Sequence, residues 1–259
     1  MNRETKSNTG RQQGFTIIEL SLAMTFISIL LLTIALTIIQ IASIYNHGSV
    51  VKELNATSRA INTELSTSIR ASGDFTTTAS ANRYKETPNV GGRMCLGQYS
   101  YIWNYGTSLS KIDSTRNLYL ANTTPANANT VVTGGVTRYE VGLVKVPDSG
   151  NGYCTPDANG KYKAVNPEGA VELLRTGDHA VVLHSLKVTT PQATAKDDAS
   201  SQQLYKISYT LGTSDIDALN GTTTVPPTSC KAPGETGADA NYCAIQQFTI
   251  VLRVAGKVN

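Results

Sequence analysis

Between Leu20 and Asn46 the chain has no Asp, Glu, Lys or Arg. Charge is scarce over the whole chain, at 16% of residues. No basic run interleaved with aromatics occurs, so the electrostatic footprint that nucleic-acid binding needs is missing. There is no Walker motif and no Gly-rich phosphate loop. Ser185 stands beside His184, but adjacent residues point apart, which excludes that pair as the heart of a nucleophilic triad. His179 and His184 lie five apart in a strand-like run, hence on opposite faces, which argues against joint metal binding. None of the four cysteines has Cys-x-x-Cys spacing, and His47, His179 and His184 do not flank them, which argues against zinc. Asp148–Gly152 and Asp157–Gly160 are Asp/Asn/Gly-rich stretches. Neither has the spacing of an EF-hand calcium loop, so both read as turns. No enzyme activity, cofactor or metal is expected.

What is present begins with the uncharged run itself. As an α-helix, Leu20–Asn46 would be about 40 Å long against a hydrocarbon core of about 30 Å, enough to span a bilayer. Arg3, Lys6 and Arg11 precede it and only Glu4 opposes them, which orients the N-terminus to the cytoplasm. The run exceeds the apolar core of a signal peptide, and no clear small-x-small cleavage site ends it. Just before it stands a carboxylate, Glu19. Ionisable groups within a membrane segment cost about 2.5–3.5 kcal/mol at mid-membrane and less near an end, and mark function by default.

Gly14-Phe15-Thr16-Ile17-Ile18-Glu19-Leu20, behind a short basic leader and ahead of the apolar run, closely resembles the processing site of type IV pilins and the related pseudopilins. The resemblance covers about residues 11–45 and implies a sequence of events. A membrane peptidase cuts between Gly14 and Phe15, then methylates the new N-terminal Phe15. Glu19 becomes the fifth residue of the mature chain, about one helical turn from the new amine. The cationic amine of one subunit and the carboxylate of a neighbour would attract by about 4 kcal/mol at about 4 Å and an effective dielectric of about 20, before desolvation is subtracted. Phe15 and Glu19 are thus the implied assembly contact. The implied partners are other pilin subunits, the prepilin peptidase, an inner-membrane assembly platform and, before assembly, membrane lipid; no specific nucleic acid is among them. The implied location is the inner membrane by a single span, then an extracellular filament.

Residues 28–37 have no Gly or Pro, whereas major pilins commonly carry helix breakers there. Thr33 and Thr37 are placed to hydrogen-bond back to the preceding turn. This departure and the size of the remaining domain lean toward a minor subunit. A pseudopilin of a type II secretion or DNA-uptake system shares every N-terminal feature. A single-pass anchored binding protein is the reading from a different class.

The expected organisation is a leader over 1–14, a transmembrane and filament-core half-helix over 15–46, an amphipathic half-helix over 47–73, and a β-rich domain over 74–259. Val51, Leu54, Ile61, Leu65 and Ile69 form one apolar stripe on the second half-helix, expected to pack on the chain's own sheet. Ser72-Gly73-Asp74 is the expected helix end, and His47-Gly48-Ser49 an expected weak point. Strands are expected at Tyr99–Tyr105, Asn117–Leu120, Arg138–Val146, His179–Thr190, Gln203–Leu211 and Gln247–Val254, with the fourth and fifth forming a hairpin. Loops are expected over 73–93, 121–135, 147–168, 191–201 and 212–242. No internal repeat is present. The fold class is α+β: a long N-terminal helix on an antiparallel sheet, the pilin "lollipop", with disulfide-closed loops. Tyr99, Tyr101, Trp103 and Tyr105 alternate onto one face, either a core face under a helix or loop, or a ligand-contact patch.

Cys95, Cys154, Cys230 and Cys243 all follow the apolar run, which in an oxidising compartment implies two disulfides among three connectivities. The favoured set is Cys95–Cys154 with Cys230–Cys243. The second would close a short polar loop without an apolar core, and a near-C-terminal disulfide loop is a feature of many type IV pilins. Cys95 before the aromatic strand and Cys243-Ala-Ile-Gln-Gln-Phe before the last strand resemble minor pilins of the PilW type.

Overall fold

A computed structural model describes residues 15–72, 75, 83–87, 90–106, 131–133, 136–138, 142–158, 160, 162–166, 168–174, 181–190, 203–221 and 225–254. The chain divides into two compact units, Met1–Tyr45 and Asn46–Asn259. The helix α1, Ile17–Ser72, crosses that division.

In the first unit α1 is apolar all round and uncovered. Ile18, Leu22, Phe26, Ile29, Leu32, Leu36 and Ile39 are all exposed. A helix with no polar face belongs in lipid or in the core of a larger assembly. It is long and apolar enough to cross a membrane. Several of its hydroxyl side chains turn inward on its own backbone. Ser28 donates to Met24 O at 2.7 Å, Thr33 to Leu30 O at 2.8 Å, and Thr37 to Thr33 O and Ile34 O at 3.0 and 2.7 Å. Hydroxyls satisfied in this way cost little in hydrocarbon. The back-bonding expected of Thr33 and Thr37 is present.

In the second unit the helix becomes one-sided. Val50, Leu54, Ile61, Leu65 and Ile69 are fully buried, with Thr57 and Ser58 between them. The stripe differs from the expected one at a single place: Val50 is its buried member, and Val51 packs at its margin. The step Val50–Leu54 keeps the four-residue spacing that holds residues on one face. The helix runs unbroken through Gly48, so the expected weak point does not interrupt it. The hydrogen bonds of its neighbours carry it past the modest propensity cost of one glycine. It is described as far as Ser72; Gly73 and Asp74 of the expected helix end lie outside the described residues.

The strands are β1 (Tyr84–Thr87), β2 (Gly91–Cys95), β3 (Tyr99–Asn104), β4 (Val131–Thr133), β5 (Val136–Arg138), β6 (Leu143–Pro147), β7 (Val171–Glu172), β8 (Val181–Thr189), β9 (Gln203–Thr213), β10 (Leu219–Asn220), β11 (Ser229–Cys230) and β12 (Ile245–Val254). An antiparallel sheet takes the order β1-β2-β3-β6-β7, and a second takes β12-β9-β8; β4-β5 and β10-β11 are separate pairs. β8 and β9 pair as the expected hairpin, with a register shift at Leu183/Ser185. Tyr205, Ile207, Tyr209 and Leu211 on the central strand β9 alternate into the core that contains the helix stripe, Met94, Trp103 and Leu143. The fold is therefore α+β, a helix packed on antiparallel sheet.

Three expectations need correction. Region 73–93 is not all loop, because β1 and the start of β2 lie in it. Gly91 and Gly92 mask that strand in the sequence, since glycine reads as a breaker. They are required because the chain passes under Trp103: a Cβ on Gly92 would meet the indole ring at 2.4 Å. Of the run 138–146, Arg138 closes β5, Gly142 is a bend, β6 begins at Leu143, and 139–141 lie outside the described residues. Short strands β4, β10 and β11 fall in stretches read as loops; two- and three-residue pairings leave no periodic signal. The expected strand Asn117–Leu120 lies outside the described residues.

Candidate functional site

Three places on the chain hold the residues singled out from the sequence: the helix start, the two disulfide-closed loops, and the aromatic strand β3.

At the helix start, Thr16 is the residue before the first helical turn and Glu19 is the third within it. Thr16 N and Thr16 Oγ1 both donate to Glu19 Oε2, at 3.0 and 2.9 Å, and Glu19 N donates back to Thr16 Oγ1 at 3.3 Å. This is a capping box, which satisfies backbone donors that the first turn leaves without partners. A carboxylate here also meets the positive end of the helix dipole. The sequence reading missed the box, although Thr-x-x-Glu ahead of an apolar run is its ordinary signature. Phe15 is 84% exposed beside it. Gly14, the other side of the expected cut, lies outside the described residues.

The cysteines pair as favoured. Cys95 on β2 is bonded to Cys154 in a 3-10 turn, Gly152–Cys154, and Cys230 on β11 to Cys243 just before β12. The first bridge is buried in a small cluster with Ile102, Val146, Tyr153 and Val165. Arg93 beneath it is 1% exposed and donates to Tyr153 O, with its guanidinium 4.4 Å from the Tyr162 ring centroid. Burial lowers its pKa to about 10, so it stays cationic at neutral pH and ties the loop to β2. The second bridge closes a loop held by polar turns: Ala232 N donates to Glu235 Oε2, and Asn241 N and Tyr242 N to Asp239 Oδ1. Asn46 Nδ2 donates to Tyr242 Oη at 3.0 Å, which fastens this loop to the helix.

The Asp148 stretch is a turn. Its carboxylate accepts from Ser100 Oγ, Gly152 N and Tyr153 N, and Asn151 takes the left-handed conformation. Gly160 N donates to Asp157 O in a second turn. Among the described residues no three His, Cys, Asp or Glu side chains gather as metal ligands. His184 is buried, with Nε2 3.2 Å from Thr213 O, and desolvation lowers its pKa to about 4. His179 lies outside the described residues.

Of the aromatic face on β3, Tyr101, Trp103 and Tyr105 are buried, and Tyr99 is 39% exposed. The core reading holds for the first three. Tyr101 Oη reaches the helix, donating to Ser68 Oγ at 2.6 Å and Glu64 Oε1 at 2.8 Å. Lys145 on β6 donates to the same Glu64 oxygen at 2.6 Å and lies 3.9 Å from the Tyr99 ring centroid. The hydrogen bond from Lys145 is the largest influence on Glu64 and holds its carboxyl below the ordinary carboxylate value. Nothing in the spacing of Glu64, Tyr101 and Lys145 predicts that they meet.

No protein-family model, curated protein or solved structure matches the chain.

Proposed function

We propose that the chain is a structural subunit, of minor type, of a type IV pilus or pilus-like filament. It is made as a precursor, cut between Gly14 and Phe15, methylated on Phe15 and assembled through α1. One observation carries this reading: a carboxylate stands at the head of a helix that is apolar on every side and uncovered over its first unit. Lipid covers such a surface before assembly, and neighbouring helices of the same kind cover it afterwards. The ionised Glu19 then has a use in pairing with the Phe15 amine of another subunit.

The capping box supplies a rival account, in which Glu19 only starts the helix of a simple anchor. Glu19→Gln separates the two, because Gln serves in a capping box as Glu does but carries no charge. The filament reading expects Glu19→Gln to leave the protein inserted and helical while its amount in sheared surface filaments falls at least tenfold. Unchanged incorporation would return Glu19 to a capping role. Intact-mass and N-terminal peptide analysis of membranes and sheared filaments tests the processing. The expected mature chain begins with N-methylated Phe15. A chain beginning at Met1 in both fractions overturns the reading.

A further inference from the structure

An open groove of about 390 Å³ lies where the last turns of α1 pass the β2–β3 turn and β6. Thr63, Glu64 and Thr67 line it from the helix, and Gln98, Tyr99 and Lys145 from the sheet. All belong to the second unit, so the groove exists whether or not the chain is cut at Gly14. Its size falls within the range of small-ligand sites, about 300–1,000 Å³.

The hydrogen-bonding character of the walls is uneven. Thr63 and Thr67 spend their hydroxyl protons on the helix, donating to Arg59 O and Thr63 O, both at 2.9 Å. Each oxygen keeps lone pairs for a donor from outside. Glu64 takes Lys145, Tyr101 and Ser68 on Oε1; among the described residues none donates to Oε2. The groove thus offers an excess of acceptors. Its charges cancel, since the Lys145 ammonium is paired with Glu64. An anion would meet the Glu64 carboxylate, and a cation would have to compete with an ammonium already 2.6 Å away. The remaining feature is Tyr99, the one member of the β3 aromatic face left substantially open. The Lys145 ammonium lies over one face of the ring, 3.9 Å from its centroid; the ring area it leaves uncovered presents π density to polarised C–H bonds.

We propose that this groove binds a neutral saccharide. Sugar hydroxyls supply donors to Glu64 Oε2 and the threonine oxygens, and the apolar C–H face of the pyranose ring lies against Tyr99. Gln98 and Lys145 supply donors to the ring and hydroxyl oxygens.

The test uses the full chain in a detergent without a sugar headgroup, because a maltoside or glucoside would itself present the ligand. Saturation-transfer NMR is run against methyl glucoside, methyl galactoside, N-acetylglucosamine, lactose and cellobiose, with sialyllactose and heparin fragments as charged controls. Transfer to the ring C–H protons of at least one neutral sugar is expected. It should weaken at least tenfold in Tyr99→Ala and persist in Tyr99→Phe, with unfolding temperatures unchanged. If Tyr99→Ala lowers the unfolding temperature, Gln98→Ala decides the matter in the same way. Absence of transfer to every neutral sugar, equal transfer to the alanine variant, or preference for the charged controls overturns the proposal.

Discussion

Tyrosine hydroxyls join helix to sheet in the second unit. Tyr209 Oη donates to Ser58 O at 3.1 Å and Asn62 Oδ1, and Tyr101 Oη reaches Glu64 and Ser68, all on the helix; Tyr205 Oη donates to Phe75 O, outside the helix, at 2.6 Å. Each ring fills core volume while its hydroxyl satisfies a polar group that burial would otherwise strand. Tyr209→Phe keeps the ring and leaves Ser58 O and Asn62 short of a donor. It should cost about 1–2 kcal/mol in denaturant unfolding. His184 is another residue whose burial has a measurable consequence; burial of Glu172 raises its carboxyl pKa and acts in the opposite sense as pH falls, so the His184 share is read as the difference from the His184→Gln variant. The folded His184 pKa of about 4 lies below the ordinary value of 6.5, so the unfolded chain binds the proton more readily. Its neutral form therefore supports full stability above pH 6.5, and that support drains away as pH falls toward 4. Glu64, whose folded carboxyl titrates below 4.5, begins to add to the loss only beneath that value. Unfolding measured between pH 7 and 4.5 should show a decline that His184→Gln flattens, by roughly 2–3 kcal/mol at the acid end.

At the scale of the element, α1 is one helix with two surfaces. Before Tyr45 its apolar residues face every direction; after Asn46 they keep to a stripe under the sheet. The same substitution should therefore be costly in one half and neutral in the other. Leu65→Ala opens a cavity in a fully buried site and is expected to cost about 2–5 kcal/mol of the second unit's stability. Leu31→Ala removes an exposed side chain in the first half and should leave that stability unchanged. The single tryptophan, Trp103 in the core of the second unit, reports both by its fluorescence in detergent. β2 depends on the reverse condition, the absence of a side chain. Gly92→Ala places a methyl within 2.4 Å of the Trp103 ring and 2.7 Å of Lys85 O, contacts that force the strand or the indole to move. Its unfolding midpoint should drop clearly in the same assay.

Over the whole chain, two covalent ties act on segments with modest cores of their own. The Cys95–Cys154 bridge spans 59 residues and the Cys230–Cys243 bridge 13. Chain-entropy arguments assign the longer one about 4 kcal/mol and the shorter about 3 kcal/mol. The Cys95→Ala/Cys154→Ala variant should therefore be destabilised more than Cys230→Ala/Cys243→Ala. Loss of the first also exposes the cluster around Ile102 and Val146, and deprives Arg93 of a fixed loop to bind. Differential scanning of the two variants under oxidising conditions gives the order directly; equal or reversed losses would show that native packing, not loop closure, sets the contribution.

Some of this architecture was legible in the residues alone. The apolar run, the one-sided continuation of the helix, the β8–β9 hairpin and the last strand follow from local periodicity or turn chemistry. The cysteine pairs are favoured among three connectivities by the short second loop and the pilin resemblance, and the 59-residue span of the first bridge carries no local signal. Glu19 was legible as a displaced charge, yet its bond to Thr16 was overlooked even though the signature is local. The residues that tertiary structure alone brought together are those with no spacing to announce them: Glu64 with Lys145, Tyr209 with Ser58, Asn46 with Tyr242, Gly92 with Trp103. Periodicity reports which face of an element is apolar, because that depends on neighbours one turn or two residues away. Which faces meet, and which aromatic is left uncovered at their margin, depends on how distant segments fill a shared volume, and for that the folded chain has to be in view.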